Sequence, residues 1–216
     1  IIRDSMFRGA DDGVVVSDRK VAGSDTLAKS YKISQAIKKI GKVDIVLAGR
    51  QAIDGDTAQV GPQIAEKLSI PQITYAEEIE KVDEKGIVIK RRLERGIEVV
   101  ESSYPILITV HSSAKKCRFY NAKRVMKYKK AFSKTEAEQN NYDVNLWNNF
   151  PYLKIDEWNA ADINAEDSRL GLTGSPTKVK KIDSVVLTQK ENVTLTPKDE
   201  DIDGLIKQLI SSHIIG

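Results

Sequence analysis

The stretch Val43-Asp44-Ile45-Val46-Leu47-Ala48-Gly49-Arg50-Gln51-Ala52-Ile53-Asp54-Gly55-Asp56-Thr57-Ala58-Gln59-Val60-Gly61-Pro62-Gln63 constrains this chain more than any other segment. A short apolar run ends at Gly49, which suits a buried parallel strand. The sequence then breaks into Asp, Gly and Thr and resumes as an amphipathic pattern through Ile64, Ala65 and Leu68. The order is therefore strand, loop, helix. Pro62 locates the helix start, because proline is tolerated in the first turn, where its missing N–H had no intrahelical partner. The backbone N–H groups of Thr57 to Gly61 are expected to be unpaired, with the positive end of the helix dipole behind them. Such a terminus suits an anion. Gly55 and Gly61 let a ligand approach the backbone, and Thr57 and Gln59 can donate to phosphate oxygens. Asp54 and Asp56 fit equally well as plain turn and cap residues. Neither GxGxxG nor GxxxxGK[ST] is present, which excludes those two phosphate loops.

A length of 216 residues suffices for one sizeable domain, or one domain with an extension. Charged residues at 30% and hydrophobic residues at 40% are ordinary for a soluble globular chain. The net charge of +3 is small and argues weakly for nucleic acid. The single Cys117 rules out an internal disulfide framework and fits a reducing compartment. No apolar run approaches the roughly 20 residues a membrane span needs, and no signal peptide is visible. A cytoplasmic location is expected. His111 and His213 are far apart and lack flanking partners, so neither a Cys/His metal site nor hydrolytic chemistry is expected.

Taken in order, Ile1 to Ala10 reads as the tail of an amphipathic helix ending at Gly9, followed by a strand over Gly13 to Ser17. An earlier strand should precede this helix to make a βαβ unit, so the N-terminal strand is expected to be missing. A helix over Asp25 to Ile40 carries Leu27, Tyr31, Ile33, Ala36, Ile37 and Ile40 at helical spacing, with Ser24 or Asp25 as its cap. Ile70 to Thr74 leads into a strand. Short runs at Ile79 to Val82, Ile87 to Arg92, Ile97 to Glu101 and Pro105 to Val110 are separated by turns and read as an antiparallel meander joined to the main sheet. Lys90-Arg91-Arg92 reads as a solvated strand face. Lys115 to Lys130 mixes cations with aromatics, a pattern shared by basic surface helices and nucleic-acid contacts. The Asn-rich residues 132–153 read as an inserted loop. A strand over Ser184 to Thr188 and a helix after Pro197 end the chain. The stripe Ile202, Leu205, Ile206, Leu209 and Ile210 on that helix is expected to bury against the sheet or a partner subunit.

The wording of these segments is more specific than their spacing. GRQAIDGDTAQVGPQIAE, continued by IPQITYAEEIE, closely resembles the nucleotide-binding signature of the beta subunit of electron-transfer flavoproteins. SDRKVAGSDTLAKSY is similar to the segment bordering the second flavin in the electron-bifurcating group. The resemblance implies an α/β fold, with a mainly parallel sheet flanked by helices in a Rossmann-like, adenine-nucleotide-binding arrangement. It adds an antiparallel addition and an extended C-terminal arm. The nucleotide-binding domain would span 1–156, and an arm and helix over 157–216 would contact the alpha subunit.

The resemblance also implies a second FAD held here, with its pyrophosphate on Thr57, Ala58, Gln59, Val60 and Gly61. Ala48, Gly49, Arg50, Gln51, Asp54, Gly55 and Asp56 would shape the ribose and phosphate pocket. Ser17, Asp18, Arg19, Gly23 and Thr26 would flank the rest, Arg19 stabilising an anionic reduced flavin. NADH would give a hydride to this FAD. One electron would go to ferredoxin or flavodoxin, the other through the alpha-subunit flavin to an acyl-CoA or hydroxy-acid dehydrogenase. The chain would then be an electron-transfer subunit of a flavin-based oxidoreductase complex, in which the cofactor does the redox chemistry and the protein binds and tunes it.

The basic segment is similar to the family's dehydrogenase-docking loop, RYxxLxxIMKAKKK. Arg118, Phe119, Val125, Met126, Lys127, Lys129 and Lys130 follow it, while Ala122 stands where the family carries a leucine that plugs the partner's pocket. That departure either argues against docking through this loop or implies a partner with a different pocket. Glu157 to Ile163 and LGLTGSPTKV, Leu170 to Val179, resemble the arm across the alpha subunit, where LGLxGSPT approaches the flavin between the subunits. GSPT by itself is an ordinary turn. Two alternatives stay open: a non-bifurcating subunit holding structural AMP, and a stand-alone adenine-nucleotide-binding regulatory domain.

Overall fold

The computed structural model describes residues 1–179, 194–212, 214 and 215. The chain divides into a unit of Ile1–Lys178 and another of Val179–Gly216. The first unit opens with α1 (Ile2–Arg8), which ends as expected at Gly9, whose φ of 129° no side chain obstructs. Next come β1 (Val14–Val16), a 3₁₀ turn (Arg19–Val21), α2 (Thr26–Ile40), β2 (Ile45–Gly49) and α3 (Val60–Leu68). Asp25 caps α2 by accepting from the Ala28 N–H at 3.0 Å. Then follow β3 (Gln72–Val82), β4 (Gly86–Leu93), β5 (Gly96–Ser103) and β6 (Ile106–Val110). After them run α4 (Ala122–Tyr128), α5 (Lys134–Asn140), α6 (Leu146–Asn149) and β7 (Asp156–Trp158).

The main sheet has the order β2-β6-β3-β4-β5. Its β2–β6 and β6–β3 pairs are parallel and its β3–β4 and β4–β5 pairs antiparallel, so the α/β architecture carries a mixed sheet. Three features differ from the sequence reading. The segments at 70–74 and 79–82 form one strand, β3, which pairs with β6 at its start and β4 at its end across irregular registers. The run Pro105 to Val110 does not extend the meander: β6 inserts between β2 and β3. The physical reason is burial on both faces. Ile106 and Ile108 join Ile73, Ile87 and Ile89, whereas Leu107 joins Ile64 and Ala65 of α3. A strand apolar on both sides gains most at the centre of a sheet. Finally, β1 lies outside this sheet and pairs in parallel with β7, Val15 opposite Glu157.

Helix α2 joins two cores. Ile33 and Ile37 pack on the cluster around Leu107, and Tyr31 packs with Ala160 and Leu170. Residues 132–153, read as a loop, carry α5 and α6. Ser133 and Glu136 form a reciprocal capping box, and Phe132 stacks on Trp147 with centroids 5.0 Å apart. Residues 157–178 belong to the first compact unit.

In the second unit, α7 (Asp199–Ser211) appears where a helix was expected after Pro197. Ile202, Leu205, Ile206 and Ile210 on its stripe are exposed in this chain alone. The strand expected over 184–188 and His213 lie outside the described residues. Among the described residues no helix is long and apolar enough to cross a membrane.

Candidate functional site

Val60 begins α3, so Pro62 sits in its first turn, as its missing N–H requires. Gln59 precedes the helix without a side-chain cap, and no described hydrogen bond uses the backbone N–H groups of Thr57, Ala58, Gln59, Val60 or Gly61. Ala58 at φ 53° and Asp56 at φ 47° turn the loop through left-handed conformations just before these amides. Residues that alternate handedness this way form a concavity of N–H groups suited to an anion.

That concavity is one wall of a cleft of about 380 Å³, lined from α2 by Thr26 and Lys29 and otherwise by the segment from Ala48 to Gly61. The cleft thus gathers Thr26, Ala48, Gly49, Arg50, Gln51, Asp54, Gly55, Thr57, Ala58, Gln59, Val60 and Gly61, all predicted from sequence. Asp56 adjoins it, its carboxylate accepting from the Gln51 side-chain amide. Two polar contacts hold the helices that frame the opening. Thr26 Oγ1 donates to Gln59 Oε1 at 3.1 Å, and Ser30 Oγ donates to Gln63 Oε1 at 3.0 Å. The Gln59 amide nitrogen stays available as a donor.

Two glycines read alike in sequence turn out differently. A Cβ on Gly55, or on Gly49, would meet nothing within 4 Å, so their bareness leaves open space in the cleft. A Cβ on Gly61 would lie 2.6 Å from Thr109 Cγ2, so this glycine serves the packing of α3 on β6. Lys29 was missed by the sequence reading, although it follows Thr26 by three residues on one helix face, a spacing that brings side chains together.

Ser17, Asp18, Arg19 and Gly23 do not line this cleft. Asp18 is occupied structurally: it accepts from the Lys20 and Ala160 N–H groups at 2.9 and 3.1 Å. Those bonds hold its carboxyl below the ordinary range. Gly23, at φ +68°, lies against Leu172. Arg19 is exposed, and Ser17 borders a separate concavity beside Trp147 and Glu157. Of the two histidines only His111 is described; its Nδ1 pairs with Ser113 Oγ at 2.8 Å.

The basic segment forms a second surface. Arg124 Nε donates to Met6 O at 2.7 Å, and Tyr120 packs edge-on to Phe7, anchoring the segment on α1. Phe119 is 94% exposed and Met126 66% exposed; Ala122 and Lys127 are exposed and Val125 is half-buried. Arg118 is also exposed, its guanidinium beside Gly9.

The electron transfer flavoprotein domain family matches residues 1–140. The electron transfer flavoprotein subunit beta of Megasphaera elsdenii is 38% identical over 224 residues, covering 100% of this chain and 74% of the relative. The caffeyl-CoA reductase-Etf complex subunit CarD of Acetobacterium woodii is 36% identical, with 100% and 74% covered. The acryloyl-CoA reductase electron transfer subunit gamma of Anaerotignum propionicum is 40% identical, also with 100% and 74% covered. With a domain match over more than half its length and beta subunits aligned along all of it, this chain belongs to the electron transfer flavoprotein family.

Proposed function

We propose that this chain is the beta subunit of a bifurcating electron transfer flavoprotein, and that the cleft at the start of α3 holds the adenine-nucleotide end of a second FAD. The observation that carries the reading is the set of unengaged amides from Thr57 to Gly61 facing one cleft with Lys29 and Arg50. A volume of about 380 Å³ falls at the small end of ligand pockets, roughly 300 to 1,000 Å³, which suits a nucleotide-sized portion of a cofactor. The amides and the dipole behind them stabilise a diphosphate, and the two cations add charge complementarity. Open space at Gly49 and Gly55 gives a ligand access to the backbone. When bound, the flavin supplies two-electron hydride acceptance and one-electron delivery. The chain's own residues bind and orient it and balance its charge.

On this reading NADH is the hydride donor and ferredoxin or flavodoxin one electron acceptor. The flavin of an alpha subunit passes the other electron to an acyl-CoA or hydroxy-acid dehydrogenase. The coenzyme A thioester reductases in the names of two relatives support an acyl-CoA enzyme as that partner. The exposed Phe119, Met126 and Lys127 form the surface for docking it.

A nucleotide census tests the proposal. The protein is purified with its accompanying subunit, denatured, and the released nucleotides are separated by chromatography. Two FAD per heterodimer are expected. One FAD with one AMP would replace bifurcation by a structural nucleotide, and a preparation without any adenine nucleotide would remove both readings.

A further inference from the structure

A second concavity, also of about 380 Å³, opens where α2, the end of α3 and residues 168–176 meet. Two cations line it: Lys67 from the last turn of α3, and Arg169 from the 3₁₀ turn Asp167–Arg169. Neither forms an ion pair among the described residues. Asp167, the carboxylate nearest Arg169 in sequence, is taken by Lys20 at 2.6 Å. Burial holds the Lys67 ammonium below its ordinary pKa, and the Arg169 charge pushes it the same way, with Glu66 opposing more weakly. Two like charges facing one concavity repel, and an anion between them relieves the repulsion.

Arg169 is held in place for such a role. Its guanidinium lies 3.9 Å from the centroid of the Tyr31 ring. Tyr31 is buried, and its hydroxyl accepts from the Glu166 N–H at 3.0 Å. Held over the ring, the guanidinium makes no hydrogen bond among the described residues, so its N–H groups remain to donate to an oxyanion. The Ser168 and Thr173 hydroxyls line the same concavity and have no hydrogen bond among the described residues. The turn behind them is closely packed: a Cβ on Gly174 would lie 2.1 Å from the Arg169 carbonyl carbon, and one on Gly171 2.3 Å from Lys20 O. Leu27, Tyr31 and Pro176 supply an apolar wall.

We propose that this concavity is a second anion site, separate from the nucleotide cleft, which takes the phosphate group of a small molecule between Arg169 and Lys67. Ser168 and Thr173 add hydroxyl donors, and the apolar wall meets an organic substituent. The phosphate has two sources, the free ion or an ester with an apolar body. The site does not depend on which nucleotide the other cleft holds.

The protein, with its bound nucleotide and accompanying subunit, is titrated calorimetrically in phosphate-free, low-salt buffer with inorganic phosphate and, separately, with phenyl phosphate. Saturable binding is expected, weakened about tenfold or more in both Arg169→Gln and Lys67→Gln, as loss of a charge-assisted hydrogen bond implies. A charge-matched control, Lys85→Gln in the exposed β3–β4 turn, keeps wild-type affinity. Tighter phenyl phosphate assigns the ester; equal affinities assign the free ion. Should Arg169→Gln fail to fold, Lys67→Gln carries the test, together with NMR titration of the Lys67 ammonium, whose pKa rises on phosphate binding. No saturable heat, or equal weakening in Lys85→Gln, overturns the proposal. Nucleotide content measured on the same samples keeps this outcome distinct from that of the cofactor reading.

Discussion

Replacing Gly61 with alanine tests how the start of α3 is held. The new methyl carbon would stand 2.6 Å from Thr109 Cγ2, and 3.7 Å from both Ala48 Cβ and Leu107 Cδ2. Comfortable carbon contacts lie at roughly 3.5 to 4.0 Å, so the first distance is about 1 Å too short. Thr109 cannot turn away freely, because it is 2% exposed and its Oγ1 accepts from the Tyr75 N–H at 3.1 Å. Rotating it forfeits that bond, about 1 kcal/mol, and lifting α3 instead costs about 1–3 kcal/mol of overpacking. Alanine recovers at most about 0.5–1 kcal/mol of helix propensity over glycine. The expected net loss is about 1–2 kcal/mol, or about 2–8 °C in Tm for a chain of this size. Denaturant unfolding at fixed nucleotide concentration measures it. Thr109→Ser deletes the obstructing methyl while keeping the hydroxyl, so adding it to Gly61→Ala should recover most of the loss through a favourable coupling energy. On the proposed reading of the cleft, a nucleotide bound there should also dissociate faster in the single variant, because the amides at the helix start are displaced. A Gly61→Ala protein as stable as wild type, or a double variant no better than the single one, would refute the packing argument.

Asp25 caps α2 and also accepts from Thr177 N and Oγ1 at 3.1 and 2.8 Å. Burial raises its pKa, but the bonds from Ala28 and Thr177 together outweigh that and hold it below the ordinary value. A folded-state pKa below the unfolded one stabilises fully above the unfolded value, about 3.9, and the gain is lost as pH falls through the folded value. Asp25→Ala should therefore cost about 1–2 kcal/mol at neutral pH and progressively less as the pH falls below the unfolded value of about 3.9; a loss that stays the same down through the acid range would contradict this. Gly171→Ala places a side chain at φ 54° and 2.3 Å from Lys20 O. It should lose more than the about 1–2 kcal/mol of the left-handed backbone alone, and a loss under about 0.5 kcal/mol in urea unfolding would sink that account. Phe119→Ala should leave stability within about 0.5 kcal/mol, since the ring is 94% exposed. It should raise the KM for a partner dehydrogenase in coupled turnover, and an unchanged KM would exclude Phe119 from docking.

How far the sequence could be read depended on how local the physics was. The start of α3 followed from Pro62, the end of α1 from Gly9, and the start of α2 from Ser24 or Asp25, of which the structure selects Asp25, because an N–H, a cap or a positive φ is satisfied within a few residues. Lys29 was missed although its signal was present, at helical spacing from Thr26. The insertion of β6 also left a trace, since Pro105-Ile106-Leu107-Ile108-Thr109-Val110 lacks the alternation of a half-exposed meander strand. The helices of 132–153 were hidden by an Asn-rich composition, yet the Ser133–Glu136 capping box lay in the sequence. No local pattern shows that β1 pairs with β7, or that Arg169 lies over the Tyr31 ring in one concavity with Lys67, since those partners are distant in the chain.

The sequence by itself determined that a strand, a polar loop and a helix with free leading amides follow one another, and its wording pointed to the family. Each of those depends on bonds within a few residues or on the residues themselves. Only the tertiary structure decided that β6 runs through the middle of the sheet, that Gly61 is bare for Thr109 and Gly55 for open space, and that Lys67 and Arg169 share one concavity. Those outcomes rest on which distant surfaces exclude water together, and burial is a property of the packed chain rather than of any segment.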